Sequence, residues 1–420
     1  MTENTDTSPP HDDRVLVVIG GSHCGVQSAF AARRAGFLGR IVVLSDETHA
    51  PYHRPPLSKD LMLGVKGPEQ IQLRPPTAYE KSAIELIGQQ RVVRIDRDRN
   101  QVVTAGGDVF DYSALLLATG ARPRVLPIDG QDLAGVHYLR SMDDALAIQQ
   151  AHASGKNVVV IGGGYIGLEA AASLRKNGCR VTVIEAMDRV LARVASAPLS
   201  EFYAHLHQQE GVVIRTGETV AHIAGAQQVE HVVLGNGERL SCDLVVVGIG
   251  VVPNTELAAE AGLTVNDGIV VNPFGATDDP AILAAGDCAR GPHALYAEPV
   301  RIESVQNAND QGKAAVMAWL GQPSPYAALP WFWSDQYDVK LQIAGVFDTS
   351  VDQTIRRQLP DAERAFALCH LVQGRLSAVE AVNQPRDFLG AKTLIAQGAK
   401  MDVAALEDAT VPIGDCVIGD

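Results

Sequence analysis

Two strand–glycine turn–helix–strand patterns occur in this one chain, and they restrict its fold more than any other feature. The later pattern runs Val158–Ile161, then Gly162-Gly163-Gly164-Tyr165-Ile166-Gly167, then a helix-like stretch, then Val181–Ile184 closing on Glu185. The earlier one runs Val15–Ile19, then Gly20-Gly21-Ser22-His23-Cys24-Gly25, then a helix, then Ile41–Leu44 and on to Asp46. In such a unit the free N–H groups and dipole of the helix N-terminus receive a pyrophosphate, and the acid at the next strand end accepts from a ribose. One unit holds one adenine dinucleotide, so two units predict two. The economical pair is a flavin and a nicotinamide that exchange a hydride.

Glycines at strand-to-helix turns also serve packing alone. The preceding strand, the following helix and the acid beyond it separate the two readings, and the later unit has all three in order. The earlier unit departs at its middle position, where Ser22 replaces the glycine that lets a pyrophosphate approach the backbone. Its side chain must turn aside or bond to phosphate. Asp46, placed for a ribose hydroxyl, favours the nucleotide reading there too.

At 420 residues, 46% of them hydrophobic and 39 of them glycine, the chain has enough material for two or three layered α/β domains. No apolar run reaches the roughly 18 residues of a membrane span, and Leu244–Val252 comes nearest. Residues 1–13 are polar and acidic and lack an apolar signal core, which predicts a disordered tail on a cytoplasmic protein. A net charge of −14, from 35 basic and 49 acidic residues, argues against a nucleic-acid partner. Cys24, Cys179, Cys242, Cys288, Cys369 and Cys416 are scattered with no C-x-x-C, which predicts buried reduced thiols. Electrons leaving a flavin then have no nearby dithiol to enter. His53, His205, His207 and His370 lack metal-ligand spacing and read as surface or packing residues, so no metal site is expected.

The pattern of the first half returns in the second. Asp111–Gly120 is an apolar strand ending Ala118-Thr119-Gly120, and Asp243–Gly250 repeats it before Pro253. This is duplication at domain scale. The chain is expected to return to its first domain near Ile269 and to change texture near Pro330. The expected division is a first dinucleotide domain over 14–120 and 251–326, a second over 121–250, and a third over 327–420.

Longer strings carry a more specific signal. Ala118-Thr119-Gly120, the Gly164 turn and Thr277–Asp287 (TDDPAILAAGD) resemble the flavin-dependent pyridine nucleotide–disulfide reductase superfamily across essentially the whole chain. Arg54–Lys59 (RPPLSK), Val300–Asn307 (VRIESVQN) and Pro330–Tyr337 (PWFWSDQY) resemble one branch of it, the NADH-dependent ferredoxin reductases serving bacterial oxygenases. The resemblance implies an α/β fold of two Rossmann-like domains plus a C-terminal α+β domain, in the glutathione reductase-like architecture without its redox disulfide. It implies FAD and NADH as cofactors and a [2Fe–2S] ferredoxin as partner. Alternatives are a rubredoxin reductase, an NADH oxidase, or a binding flavoprotein like the apoptosis-inducing factor group, whose long basic insertions are not seen here.

For FAD the resemblance implies Gly20, Ser22, Cys24 and Gly25 at the pyrophosphate turn, Asp46 on the ribose and Asp287 on the ribityl chain. Lys59, Val92, Arg140 and Val305 complete its contacts. Asp287, after Gly286 and before an expected helix, also reads as an N-cap. For NAD it implies Gly162, Gly164, Tyr165, Ile166, Gly167, Glu169, Glu185 and Gly250. Lys59 would lie near flavin N5 and pair with Glu169, a cation that answers charge on reduced flavin. Trp331 and Trp333, two apart, would face the same way on a strand, and the resemblance places Trp333 near the flavin on the partner's side. Since small [2Fe–2S] ferredoxins are usually acidic, Lys313 and Lys340 are the candidate docking cations.

Overall fold

The computed structural model describes residues 12–345, 350–360 and 362–418. The expected tail over 1–13 therefore lies outside the described residues up to position 11. By packing, the chain forms two compact units. One comprises residues up to His53 with Ile71–Arg122 and Pro253–Ala328, and the other Arg54–Gln70, Pro123–Val252 and the chain from Leu329 on.

In the first unit, Val15–Ile19 is a near-continuous Val/Ile/Leu run buried at four of its five positions. Such a run suits the centre of a parallel sheet covered on both faces. It pairs in parallel with Arg40–Leu44 and Ala114–Leu117, and Ile84–Ile87 and Ile282–Ala284 add the outer strands. One face packs Leu16, Val18, Ile41 and Leu116 on helices His23–Arg34 and Val305–Trp319. Gly312 lets these helices approach, because an added Cβ there would lie 2.8 Å from Cys24 Sγ.

The second unit repeats this plan. Asn157–Ile161 pairs in parallel with Arg180–Glu185 and Leu244–Val247, flanked by Val213–Thr216 and Val136–Tyr138. In both sheets the strand before the glycine turn lies between the strand bearing the acid and the strand that closes on glycine. The sequence duplication is thus a duplication of topology.

The C-terminal segment forms an antiparallel sheet in the order Trp331–Gln336, Val339–Gly345, Arg375–Val382, Phe366–Val372, Gln353–Arg357. Its strands alternate with period two. Leu341, Ile343, Phe366 and Leu368 join the core of the second nucleotide fold, while Ala344, Ala367, Cys369 and Val379 face helix Pro385–Gln397. Because both faces are covered, this sheet groups with the second nucleotide fold in one compact unit. Arg54–Gln70 groups there for the same reason, since Met62 is buried with Ile148 and Leu168.

One polar side chain organises the chain's last segment. Arg357 is 1% exposed and donates to the carbonyls of Leu406 and Val411, both at 2.6 Å, and to Asp387 at 3.1 Å. Arg357→Met fills similar volume but leaves three carbonyls, those of Leu406, Asp408 and Val411, and the Asp387 carboxylate without their donor. Breaking a buried, hydrogen-bonded pair costs roughly 3–5 kcal/mol. The expected outcome in chemical denaturation is a loss of that size, with an unchanged m-value.

Candidate functional site

Each glycine turn is fixed by its own backbone at the first and last positions. Gly20 has φ +120°, and an added Cβ would run into the Ala118 carbonyl; one at Gly25 would strike the Gly20 carbonyl. Gly162 (φ +106°) stands in the same relation to Gly248, and Gly167 to Gly162. The middle positions differ. Gly164 has an ordinary φ of −79°, and an added Cβ would meet nothing within 4 Å. The protein therefore does not need glycine there, and the open space in front of it fits a group approaching from outside. Ser22 holds the equivalent position as N-cap of helix His23–Arg34; its carbonyl accepts from Val26 N at 3.0 Å, while its side chain does not cap the helix's N–H groups.

The acids are not equivalent. Gly20 N donates to the Leu44 carbonyl and Gly162 N to that of Ile184, both at 2.8 Å. This register aligns Glu185 with Ser45, so Asp46 lies one residue further along. Glu185 accepts from Gly163 N at 2.7 Å and Met187 N at 2.8 Å, which ties it to the turn it serves. Asp46 is exposed beyond its strand. Tyr165 and Ile166 open the second helix, with Ile166 47% exposed at the turn. Gly250 has φ +101°, and a Cβ there would lie 3.6 Å from the exposed Arg193 guanidinium, a cation the sequence reading passed over.

Asp287 follows Gly286 (φ +82°) in a turn, but strand Ala289–His293 comes next, so the N-cap expectation is wrong. Ile269 N takes the Cys288 carbonyl at 2.7 Å and draws this segment into a sheet. The helix comes later and is capped by Ser304, whose hydroxyl accepts from Asn307 N at 3.0 Å. Val305 is its first residue. Asn307 Oδ1 is buried without a hydrogen-bond partner, although its Nδ2 donates to the Ile302 carbonyl. An orphaned buried acceptor in this first turn suits a donor-bearing ligand, and the first unit's residues fit a dinucleotide as the second unit's do. Val92 begins a strand and is half-buried against the core of the first unit. Cys24 is buried within the helix, and desolvation holds its thiol well above the usual range.

In the second unit, Lys59 and Glu169 form a pair at 2.9 Å, with side chains 17% and 5% exposed. Glu169 Oε2 also accepts from the Ser58 hydroxyl at 2.5 Å, and Oε1 from the Ser334 hydroxyl at 2.6 Å. An ionised carboxylate loses several kcal/mol on burial, and hydrogen bonds to a charged group return about 1.5–3 kcal/mol each. Two hydroxyl donors and a cation offset that cost. Arg140 takes part through its carbonyl, which accepts from Arg54 at 2.7 Å.

Trp331 and Trp333 share one face of their strand, as expected, with ring centroids 5.6 Å apart. Lys392 Nζ stands 4.8 Å from the Trp331 ring, a basic residue beside the tryptophans that no sequence spacing announces. Lys313 is exposed on helix Val305–Trp319, and Lys340 is exposed opposite Asp335 in the C-terminal sheet. Among the described residues no helix is long and apolar enough to cross a membrane, and no His, Cys, Asp and Glu cluster is arranged to hold a metal ion.

Comparison with known proteins agrees with this geometry. Residues 14–312 match the family described as pyridine nucleotide-disulphide oxidoreductase, and residues 331–417 match a reductase C-terminal family. Putidaredoxin reductase CamA of Pseudomonas putida is 41% identical over 96% of each chain. A probable ferredoxin reductase, CtmF, of Castellaniella defragrans is 42% identical over 95% of this chain and 97% of its own. The reductase of a covalent putidaredoxin reductase–putidaredoxin complex superposes with a TM-score of 0.93 at 40% identity, covering 97% and 98% of the two chains. With its two glycine turns set in duplicated parallel sheets, this chain belongs to the pyridine nucleotide-disulphide oxidoreductase family.

Proposed function

We propose that this chain is a cytoplasmic NADH-dependent flavoprotein reductase that passes electrons through FAD to a [2Fe–2S] ferredoxin supplying an oxygenase. The observation that carries the reading is the pair of dinucleotide cradles in one chain whose six cysteines are all free and buried. Bound FAD supplies the change from a two-electron donor to a one-electron acceptor. The protein's part is to bind, orient and tune.

In this reading residues 14–120 and 251–326 hold FAD, 121–250 hold NADH, and 327–420 serve the partner. The turn from Gly20 to Gly25 and the helix beginning at Val305 take the flavin dinucleotide, with Asp46 and Asp287 on its sugars. The turn from Gly162 to Gly167 takes the nicotinamide dinucleotide, with Glu185 on the adenosine ribose. Lys59, held by Glu169, is the cation that answers charge on the reduced flavin. Trp333, beside Trp331, belongs to the surface the ferredoxin meets. Docking of an acidic partner on a chain of net charge −14 requires local cations, and Lys313 and Lys340 are assigned that role.

Glu185 gives a test of cofactor choice. Its carboxylate suits two ribose hydroxyls and repels a 2′-phosphate, so kcat/KM should favour NADH over NADPH. Glu185→Ala should weaken NADH use by about tenfold to a hundredfold, the loss of one charge-assisted bond of roughly 1.5–3 kcal/mol. The gap to NADPH should narrow. A wild-type protein with equal kcat/KM for both nucleotides would contradict the assignment.

The first turn gives a second test. Wild-type protein should purify yellow, with an oxidised-flavin band near roughly 450 nm, and Ser22→Gly should stay folded and keep FAD. A colourless wild-type preparation that gains no band when incubated with FAD removes the flavin and the function with it.

Docking gives a third. Charge reversal at Lys313 or Lys340 should slow reduction of a [2Fe–2S] ferredoxin at low salt and do so less at high salt. NADH oxidation by ferricyanide, which needs no docking surface, should change little. A parallel fall in both reactions would place these lysines in the fold or the flavin site instead.

A further inference from the structure

The Lys59–Glu169 pair is one end of a longer line of buried polar groups. The Ser334 hydroxyl, which donates to Glu169, lies 3.1 Å from Gln336 Nε2 and accepts from it. Gln336 Oε1 lies 2.8 Å from His207 Nε2, and His207 Nδ1 lies 3.1 Å from the Tyr337 hydroxyl. Ser334, Gln336 and His207 are each no more than 1% exposed. Sequence reading had set His207 aside as a surface or packing residue.

The chemistry of each group orients the line. An amide oxygen only accepts, so with the Gln336 amide as placed, His207 Nε2 carries the hydrogen. Burial lowers the His207 pKa to about 4, so the ring is neutral near pH 7 and Nδ1 is left to accept from Tyr337. From Tyr337 to Glu169 every hydrogen therefore points toward the carboxylate. Aligned donors of this kind polarise one another in a low-dielectric interior. The amide in the middle makes the line a poor conductor of protons and a good brace. With its hydroxyl oxygen engaged by Gln336, Ser334 is held in the rotamer that serves Glu169 Oε1.

We infer that His207 and Gln336 are positioning residues for the Lys59–Glu169 pair, acting through Ser334 to fix the carboxylate and so to tune the redox equilibrium of bound FAD. This rests on the proposed role of Lys59 toward the flavin. The pieces come from three remote segments: helix Ala197–Gln209, strand Trp331–Gln336 and the loop ending at Lys59. Nothing in the nucleotide turns themselves demands a histidine at 207.

The test is a spectroscopic redox titration of FAD-loaded protein, comparing oxidised-to-reduced flavin at a fixed poise, with variants chosen as a double-mutant cycle. His207→Leu should change that ratio by roughly threefold to tenfold, in the same direction as Ser334→Ala. A tenfold change corresponds to about 30 mV for a two-electron couple. The double variant Ser334→Ala/His207→Leu should move it no further than Ser334→Ala alone, because the link is already cut. His207→Gln, which keeps a donor for Gln336 Oε1, should stay within about twofold of wild type.

If His207→Leu leaves the ratio unchanged, or adds fully to Ser334→Ala, the histidine merely packs and the inference is overturned. Should His207→Leu not fold, Gln336→Met with and without Ser334→Ala is read in the same way. Glu169→Gln separates the two levels of argument. If neither Glu169→Gln nor Ser334→Ala moves the ratio, the placement of the pair at the flavin fails and the inference with it. If both move it and His207→Leu does not, only the inference fails.

Discussion

A buried carboxylate holds the second unit of this protein to its purpose. Glu169 follows the last fingerprint glycine by two residues, so the helix that opens at the glycine turn also carries this charge into the core. Ionised and nearly unexposed, it persists only where donors converge on it. Lys59 and Ser58 come from the loop after the first nucleotide turn, and Ser334 from the first strand of the C-terminal sheet. Three segments far apart in sequence are thereby bound to one point. The same requirement explains why the Arg54–Lys59 loop and the C-terminal sheet group with the second nucleotide fold.

Much of this was legible because its cause is local. Glycines forced by a neighbouring carbonyl, as at Gly20 and Gly162, follow from strand–turn–helix geometry alone and appear as spacing in the sequence. The parallel strands were legible as short Val/Ile/Leu runs, and the shared face of Trp331 and Trp333 as period two. Duplication followed from reading those signals twice. The Lys59–Glu169 pair was a different matter. Its members are 110 positions apart, and only resemblance, not spacing, put them together.

What sequence reading missed depends on register or on long-range packing. Asp46 and Glu185 looked alike as acids at strand ends, yet the ladders align Glu185 with Ser45 and leave Asp46 one residue beyond. A strand can shift its acid by one residue without altering its apolar pattern. Asp287 was expected to cap a helix because Gly-Asp before an apolar stretch looks the same ahead of a strand, and pairing with Ile269 decides the matter. Lys392 reaches Trp331 from a helix some sixty residues later, and His207 joins Gln336 across 129 positions. No local window contains either contact.

The cysteines complete the physical argument about where electrons go. A thiol takes part in exchange only as thiolate, and burial in apolar surroundings disfavours that form. All six thiols are buried and unpaired, and desolvation raises Cys242 and Cys369 to about 12. Cys24 and Cys288, nearest the first glycine turn, are raised by the same cause. Cys24 instead does mechanical work, its sulfur filling the contact between helices where Gly312 permits close approach. Beside the first nucleotide cradle, then, the thiols are buried, free and held in the protonated form. The half-buried tryptophans beside Lys392 lie on a sheet that Ser334 braces against Glu169, so the buried carboxylate also fixes the strand that carries them.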